Sequence, residues 1–136
     1  MVDRIDASLW HGDSRELLLR VADASVDLIC TDPPYNLGGY STGNIDMSWR
    51  KSFNNDVAAW DHAFDPAEWL AEFRRVLKPT GTIFAFTSYT MPGRWHEVFD
   101  PVFHTFQFVV GHKVNPPPNF LWSGSLNSCA RIVACW

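Results

Sequence analysis

The stretch from Leu28 to Gly39, LICTDPPYNLGG, constrains the fold of this chain more than any other segment. The residues SVDLICT that lead into it are apolar and β-prone, and they predict a strand. Pro33 and Pro34 each fix their own φ, and each holds the preceding residue extended. The strand should therefore end at Thr31, and the DPPY residues after it form either a simple turn or a rigid polar tip on which chemistry takes place.

Helix and strand signals alternate on the N-terminal side of this tip. The residues ASLWHGD predict a short strand that ends at Gly12. DSRELLLRVA then predicts a helix, in which Asp13 and Glu16 have the spacing of a capping box. After the tip, residues from Asn36 to about Phe64 contain three glycines and show no sustained period, so we expect a long loop there.

The segment DPAEWLAEFRRVLKPTG carries the strongest helix pattern of the chain. Asp65 can cap the helix, and Pro66 suits its first position. Its apolar side chains form one stripe: Trp69, Leu70, Phe73, Val76 and Leu77. TIFAFT, HTFQFVVGHK and CARIVACW predict further strands, and GRWHEVF predicts a helix. This order predicts an α/β sheet of the doubly wound kind, in which ligands bind beyond the carboxyl ends of strands, where TDPPY falls.

Composition limits the class of protein. The chain has 136 residues, of which 46% are hydrophobic and 19% charged, so we expect one domain over residues 1–136. No apolar run approaches the roughly 20 residues that cross a bilayer, and the N-terminus lacks the pattern of a signal peptide. We therefore expect a cytoplasmic protein without membrane contact. A net charge of -4 argues against nucleic-acid binding by bulk charge, so such binding would need a local basic surface.

Cysteine and histidine spacing argues against disulfides and metals. Cys30, Cys129 and Cys135 are odd in number and contain no CxxC pair, so we expect small, buried, reduced side chains. The five histidines show no metal-ligand spacing with cysteine or acidic partners, so we expect no metal site.

Several motifs together resemble those of one enzyme family. TDPPYNLG is similar to the (D/N/S)PP(Y/F) motif of DNA amino-methyltransferases that use S-adenosylmethionine. The surrounding segments resemble the N-terminal half of the β-group of these enzymes, in the same order: LWHGDSRELL, SVDLICTDPPYNLG, AAWDHAF, EFRRVLKPTGTIFAF, VVGHKVNPPPNF and NSCARIVACW. The resemblance covers nearly the whole chain. It implies a partial Rossmann-like methyltransferase sheet with flanking helices and a C-terminal strand pair.

The resemblance implies a catalytic role for Asp32, Pro33, Pro34 and Tyr35. An exocyclic amine of a base is a poor nucleophile because its lone pair is delocalised into the ring. The Asp32 carboxylate and the Pro33 carbonyl would accept hydrogen bonds from the amino group and stabilise the positive charge that appears during transfer. Tyr35 would stack on a base that has been flipped out of the helix. Taken alone, DPPY is more typical of an ordinary turn, and the surrounding resemblance is what favours the catalytic role.

The resemblance also implies binding residues outside the tip. Asp13 would contact the adenosine part of S-adenosylmethionine, or serve only as a helix cap. Lys113 and Asn115 would contact phosphate or a base edge, or lie on a solvated shoulder. The chain departs from the family at Gly111, where tryptophan is common, and at Ala130 or Arg131, where glutamate is common.

One family motif is missing from the sequence. The FxGxG-type turn that holds the methionine end of S-adenosylmethionine does not occur. We therefore expect a partial enzyme that methylates N6 of adenine in DNA, as in restriction-modification, with DNA as its partner and a complementary chain as a second candidate partner. The alternatives are methylation of N4 of cytosine, of RNA or of protein glutamine, and a non-catalytic remnant that binds nucleic acid or a partner chain.

Overall fold

Three helices and six strands make up the described part of the chain. The computed structural model describes residues 6–36, 44–47, 50–54, 61, 63–114 and 129–136. The elements in chain order are α1 (Ser14–Leu18), β1 (Val26–Thr31), β2 (Asn44–Met47), β3 (Arg50–Asn54), α2 (Ala67–Val76), β4 (Leu77–Thr87), α3 (Pro92–Phe99), β5 (Phe106–His112) and β6 (Cys129–Cys135).

Four of these strands form one mixed sheet in the order β1-β4-β6-β5. β1 runs parallel to β4, whereas β6 is antiparallel to both β4 and β5. The predicted α/β sheet with flanking helices and a C-terminal strand pair is confirmed. Because of these directions, β1, β4 and β5 all end at the edge of the sheet where β6 begins.

The core lies between this sheet and the helices α2 and α3. Along β4, Ile83 and Ala85 are fully buried, and they pack with Trp95 and Phe99 of α3 in one hydrophobic cluster. The intervening β4 residue Phe84 is 37% exposed. Alternation along the strand therefore separates a face covered by helices from a second face that stays open in the described part of the chain.

Two expectations for the N-terminal region change. ASLWHGD is not a strand: residues 6–11 have no regular structure, and Leu9 is 98% exposed. In the described part of the chain no strand lies beside it to complete a backbone ladder. The helix that follows is confirmed but short, since α1 has only five residues. Its cap is the expected one, because the Arg15 N–H donates to Asp13 Oδ1 at 2.9 Å.

The long loop expected from Asn36 to about Phe64 is partly wrong. β2 and β3 form an antiparallel hairpin in which Asn44 pairs with Asn54 and Met47 with Arg50. A hairpin ladder is made of backbone hydrogen bonds between neighbouring segments. It can therefore form where the side chains show no alternation of polar and apolar residues, and the sequence pattern missed it.

The strongest helix prediction is confirmed in its buried face, but the helix starts one residue later than expected, because α2 begins at Ala67 and Pro66 rather than Asp65 occupies the cap position. Asp65 Oδ1 accepts a hydrogen bond from the Ala67 N–H at 3.1 Å, and Phe73 and Val76 are buried. β4 begins directly at Leu77, so the last residue of the predicted stripe belongs to a strand and not to the helix. In the described part of the chain, no helix is long and apolar enough to cross a membrane.

Candidate active site

A cavity lies at the edge of the sheet where three strands end and β6 begins. Its volume is about 470 Å³, within the range of small-molecule sites. The residues that line it come from all four strands or the turns that follow them: Asp32, Tyr35, Phe86, Thr87, Ser88, Tyr89, Lys113, Cys129, Ala130 and Arg131. This is the edge at which the predicted topology places a ligand.

The acid and the ring of the DPPY tip meet at this cavity. Asp32 is exposed directly after β1, and the Tyr35 hydroxyl donates a hydrogen bond to Asp32 Oδ1. Burial, this hydrogen bond and the charges of Asp32 and Asp61 raise the pKa of Tyr35 well above its ordinary value of 10.0. The phenol therefore stays protonated at neutral pH and acts as the donor.

The two prolines of the tip face aromatic side chains across a second cavity. Pro33 and Pro34 line this apolar cavity of about 60 Å³. The other residues around it are Thr31, Phe64, Trp69, Phe73 and Trp95. The fixed φ angles of the prolines restrict the motion of the backbone that carries Asp32.

The predicted residues Lys113 and Asn115 have different outcomes. Lys113 lines the cavity that contains Asp32. Asn115 lies outside the described residues. Arg131, one of the two candidates for the position where glutamate is common in the family, also lines the cavity, and its guanidinium carbon lies 5.8 Å from the centre of the Tyr89 ring. The described far wall of the cavity thus carries two cationic side chains.

Asp13 is engaged in capping α1. Besides the cap, Arg15 Nη2 donates to Asp13 Oδ2 at 2.8 Å. The hydrogen bond from the Arg15 side chain, followed by the one from its backbone, lowers the pKa of Asp13 to about 2. Asp13 is not among the residues that line the cavity at Asp32. Helix capping therefore accounts for its contacts, and a role in cofactor binding stays a prediction.

Sequence reasoning missed part of the cavity wall. Thr87, Ser88 and Tyr89 stand at the carboxyl end of β4, next to the end of β1. Ligands bind beyond the carboxyl ends of parallel strands, and this rule applies to β4 as well as to β1. The prediction from sequence considered only the end of β1. Applied to β4, the rule would have identified these residues.

The cysteines do not all behave as expected. Cys135 is buried, and burial together with the charge of Asp100 raises the pKa of its thiol to about 12. Cys30 is exposed, so the expectation of burial is wrong for this residue. It pairs with Phe84 of β4, on the open face of the sheet.

Within the described ranges, no three His, Cys, Asp or Glu side chains are grouped to hold a metal ion.

Known proteins match both the sequence and the fold. A family model described as DNA methylase matches residues 26–123. The Type II methyltransferase M.HinfI of Haemophilus influenzae is 32% identical over 94% of this chain and 37% of its own length. The Type II methyltransferase M2.MboI of Moraxella bovis is 28% identical over 83% of this chain and 43% of its own.

The fold of this chain is similar to that of a solved crystal structure. A crystal structure of the M1.HpyAVI-SAM complex aligns with a TM-score of 0.59 at 20% identity, over 93% of this chain and 52% of that one. This chain spans less than half the length of the two curated relatives named above. The match to the family model over most of the chain, together with the relatives, establishes that the chain belongs to the DNA methylase family of DNA amino-methyltransferases.

Proposed function

We propose that this chain provides the target-amine side of the active site of a DNA amino-methyltransferase, with N6 of adenine as the preferred acceptor. One observation carries the proposal. Asp32 stands exposed at the end of β1, at a cavity that the other three strands of the sheet also help to line. A carboxylate in that place can accept a hydrogen bond from a group that enters the cavity.

The reaction needs acceptors for two amino protons. Asp32 accepts one of them through its carboxylate, and the Pro33 carbonyl accepts the other. Both interactions strengthen as positive charge develops on the attacking nitrogen, so they stabilise the transition state more than the bound substrate. Since the two prolines fix their own φ angles and hold the preceding residues extended, these acceptors lose little entropy when the base arrives.

A flipped base would find aromatic surface on both sides of the cavity. Tyr35 contributes from the β1 side, and Phe86 and Tyr89 contribute from the end of β4. Stacking of one base on an aromatic ring is worth about 1–3 kcal/mol. The Tyr35 hydroxyl now bonded to Asp32 would give up that bond as the amino group takes its place.

The local charge of the cavity favours a nucleic acid despite the net charge of -4. Lys113 and Arg131 both line the far wall. A flipped base remains attached to the backbone, so its phosphates must lie close to the cavity mouth. The two cations would neutralise phosphates there, while the bulk of the acidic surface stays away from the DNA.

The methyl donor we propose is S-adenosylmethionine. It supplies the methyl group as an electrophile: the amine nitrogen forms the new N–C bond, the old C–S bond breaks with its electron pair left on sulfur, and the methylated nitrogen then releases one of its two protons to solvent. The residues present fit the reacting end of this cation, because Asp32 offers a carboxylate and Tyr35 an aromatic face. They fit the adenosine end less well, because both carboxylate oxygens of Asp13 already accept bonds from Arg15.

A complementary polypeptide would complete the donor site, and residues 1–136 would then be one partial domain. Two features of the sheet support this proposal. β1 lies at the end of the strand order, with its outer edge unpaired in the described part of the chain. On the open face, Leu28 is 53% exposed and Phe84 37%. Apolar surface of this kind is what another layer would cover.

The cytoplasm, where DNA and S-adenosylmethionine occur together, is the proposed compartment.

Labelled methyl transfer tests the activity. The chain is incubated with S-adenosylmethionine carrying a labelled methyl group and with unmethylated DNA, and Asp32→Ala is the control. We expect label in DNA that depends on Asp32, recovered as N6-methyladenine after digestion. Label recovered as N4-methylcytosine, or only with RNA as acceptor, would replace the preferred substrate by its rival. Equal transfer by Asp32→Ala would overturn the mechanism.

Calorimetry tests the complementary polypeptide. We expect the chain alone to bind S-adenosylmethionine weakly, because the adenosine end lacks its partners, and the transfer assay is therefore run at a donor concentration high enough to occupy this weak site. Tight binding of S-adenosylmethionine by this chain alone would contradict the need for a second polypeptide. It would leave the proposed chemistry at Asp32 intact.

A further inference from the structure

The backbone of the DPPY tip is bound by a carboxylate that lies outside the motif. Asp61 is only 6% exposed, and its Oδ1 accepts hydrogen bonds from the N–H groups of both Tyr35 and Asn36. The bond from Asn36 N is 2.9 Å long. A carboxylate is costly to bury unless it is hydrogen-bonded, and two adjacent backbone donors offset that cost.

Asn36 makes a second link between the same two segments. Its side-chain Oδ1 accepts from the Phe64 N–H at 2.7 Å, and its Nδ2 donates to the Phe64 carbonyl at 2.8 Å. Its φ is +56°, in the left-handed region that asparagine tolerates better than most residues. The backbone just after Tyr35 is thus tied to the segment before α2 at two points.

We propose that Asp61 is a positioning residue for the tip, and that it acts together with Asn36 as a backbone clamp. The tip is then fixed at both ends. On one side Thr31 pairs with Ala85 in the sheet, and on the other Tyr35 and Asn36 are bound by Asp61. Asp32 and the Pro33 carbonyl lie between these two anchors.

The clamp matters for catalysis because acceptor hydrogen bonds depend steeply on distance and angle. Without Asp61, the backbone N–H groups of Tyr35 and Asn36 would lose their acceptor, and the tip would be held only at the β1 end and by the side chain of Asn36. The Asp32 carboxylate would then sample positions from which it cannot meet an amino proton. This consequence for the reaction rests on the proposed function, whereas the clamp itself does not.

Hydrogen exchange measures the clamp without any activity. The backbone amides of Tyr35 and Asn36 are compared in the wild-type chain, in Asp61→Ala and in Asp61→Asn. We expect about tenfold or more faster exchange of both amides in Asp61→Ala, because their acceptor is gone. Asp61→Asn should stay close to wild type, since its side-chain oxygen can still accept both bonds.

Two further variants distinguish a local loss of the clamp from a general loss of structure. Asp65→Ala removes a neighbouring acid that accepts a hydrogen bond from the first N–H of α2 and pairs with Arg94, with no contact to the tip. It should speed exchange in α2 and leave the Tyr35 and Asn36 amides protected. Asn36→Gly keeps the positive φ and removes the second link, so it probes the clamp even if Asp61→Ala does not fold. We expect it to speed exchange in the tip by a smaller factor.

Methyl transfer then tests the consequence. In Asp61→Ala we expect kcat to fall about tenfold or more with little change in the KM for DNA, and we expect Asp61→Asn to restore most of it. Unchanged amide protection in Asp61→Ala would overturn the clamp. A loss of protection with unchanged kcat would overturn its role in positioning. If wild-type protein transfers no methyl, the proposed function of this chain fails, and exchange alone decides the clamp.

Discussion

The cavity at the end of the sheet has two walls that are built differently. The β1 wall consists of residues 32–36, where a carboxylate and a phenol meet on a backbone that contains two prolines and is anchored by buried Asp61. The far wall consists of Lys113 and residues 129–131, and it carries two cations, of which Arg131 lies over Tyr89.

The two walls suit two different tasks in the proposed reaction, stabilisation of the reacting nitrogen and attraction of the DNA phosphates. Stabilising charge on a reacting nitrogen requires acceptors held within a fraction of an ångström, so the wall that carries Asp32 is rigid. Attraction of a phosphate by a lysine acts over several ångströms and tolerates motion. The β1 wall should therefore control the rate of transfer, and the far wall should control the affinity for DNA.

The largest effect is expected when the acceptor of the β1 wall is removed. Asp32→Ala should lower the rate of methyl transfer by about 100-fold or more, the scale seen when one such preorganised electrostatic contact is lost. Asp32→Asn keeps an acceptor oxygen and should lose less. Initial rates with labelled S-adenosylmethionine measure both variants. A smaller loss for Asp32→Ala than for Asp32→Asn would refute the acceptor role.

A smaller effect is expected when the ring of the same wall is removed. Tyr35→Ala should weaken productive DNA binding by about tenfold, the equivalent of one base stack of roughly 1–3 kcal/mol. Tyr35→Phe keeps the ring and frees Asp32 Oδ1 from the phenol, so it should transfer at least as fast as wild type. Steady-state kinetics on unmethylated DNA separate the two. Equal losses in both variants would show that the hydroxyl matters, not the ring.

The far wall should respond as a charge contact only. Lys113→Ala is expected to weaken DNA binding by a few-fold and to reduce the slope of log affinity against log salt by about 1, with little change in kcat. Lys78→Ala is the matched control, because its ammonium pairs with Asp27 at 2.8 Å and does not line the cavity. Equal salt slopes for Lys113→Ala and wild type would remove Lys113 from the DNA contact.

The smallest effect concerns the stability of the β1 wall at high pH. The pKa of Tyr35 is raised in the folded protein, so the folded state favours the neutral phenol. Its contribution to stability is complete below the ordinary pKa of 10.0 and is lost as the pH rises above that value toward the folded pKa. Urea unfolding should show a decline above about pH 10 that is less steep in Tyr35→Phe. Parallel declines would exclude this contribution.

Local patterns in the sequence identified the elements whose cause is local. The apolar run that ends in two prolines predicted β1 and its end, and the stripe of α2 predicted its buried face. The hairpin of β2 and β3 was missed because its backbone ladder leaves no trace in side-chain periodicity. Cys30 was expected to be buried because cysteine usually is. Its exposure depends on whether another layer of structure covers that face of β1, and the sequence pattern does not show this.

The sequence by itself determined the chemistry of the β1 wall: an acid, two rigid prolines and an aromatic ring at the end of a strand, in an order that resembles one enzyme family. Only the tertiary structure decided what surrounds that tip. Long stretches of chain separate Asp32 from the β4, β5 and β6 ends that complete its cavity, and Asp61 reaches the backbone of Tyr35 from 26 residues away. Such contacts depend on strand order and direction, which no local pattern encodes.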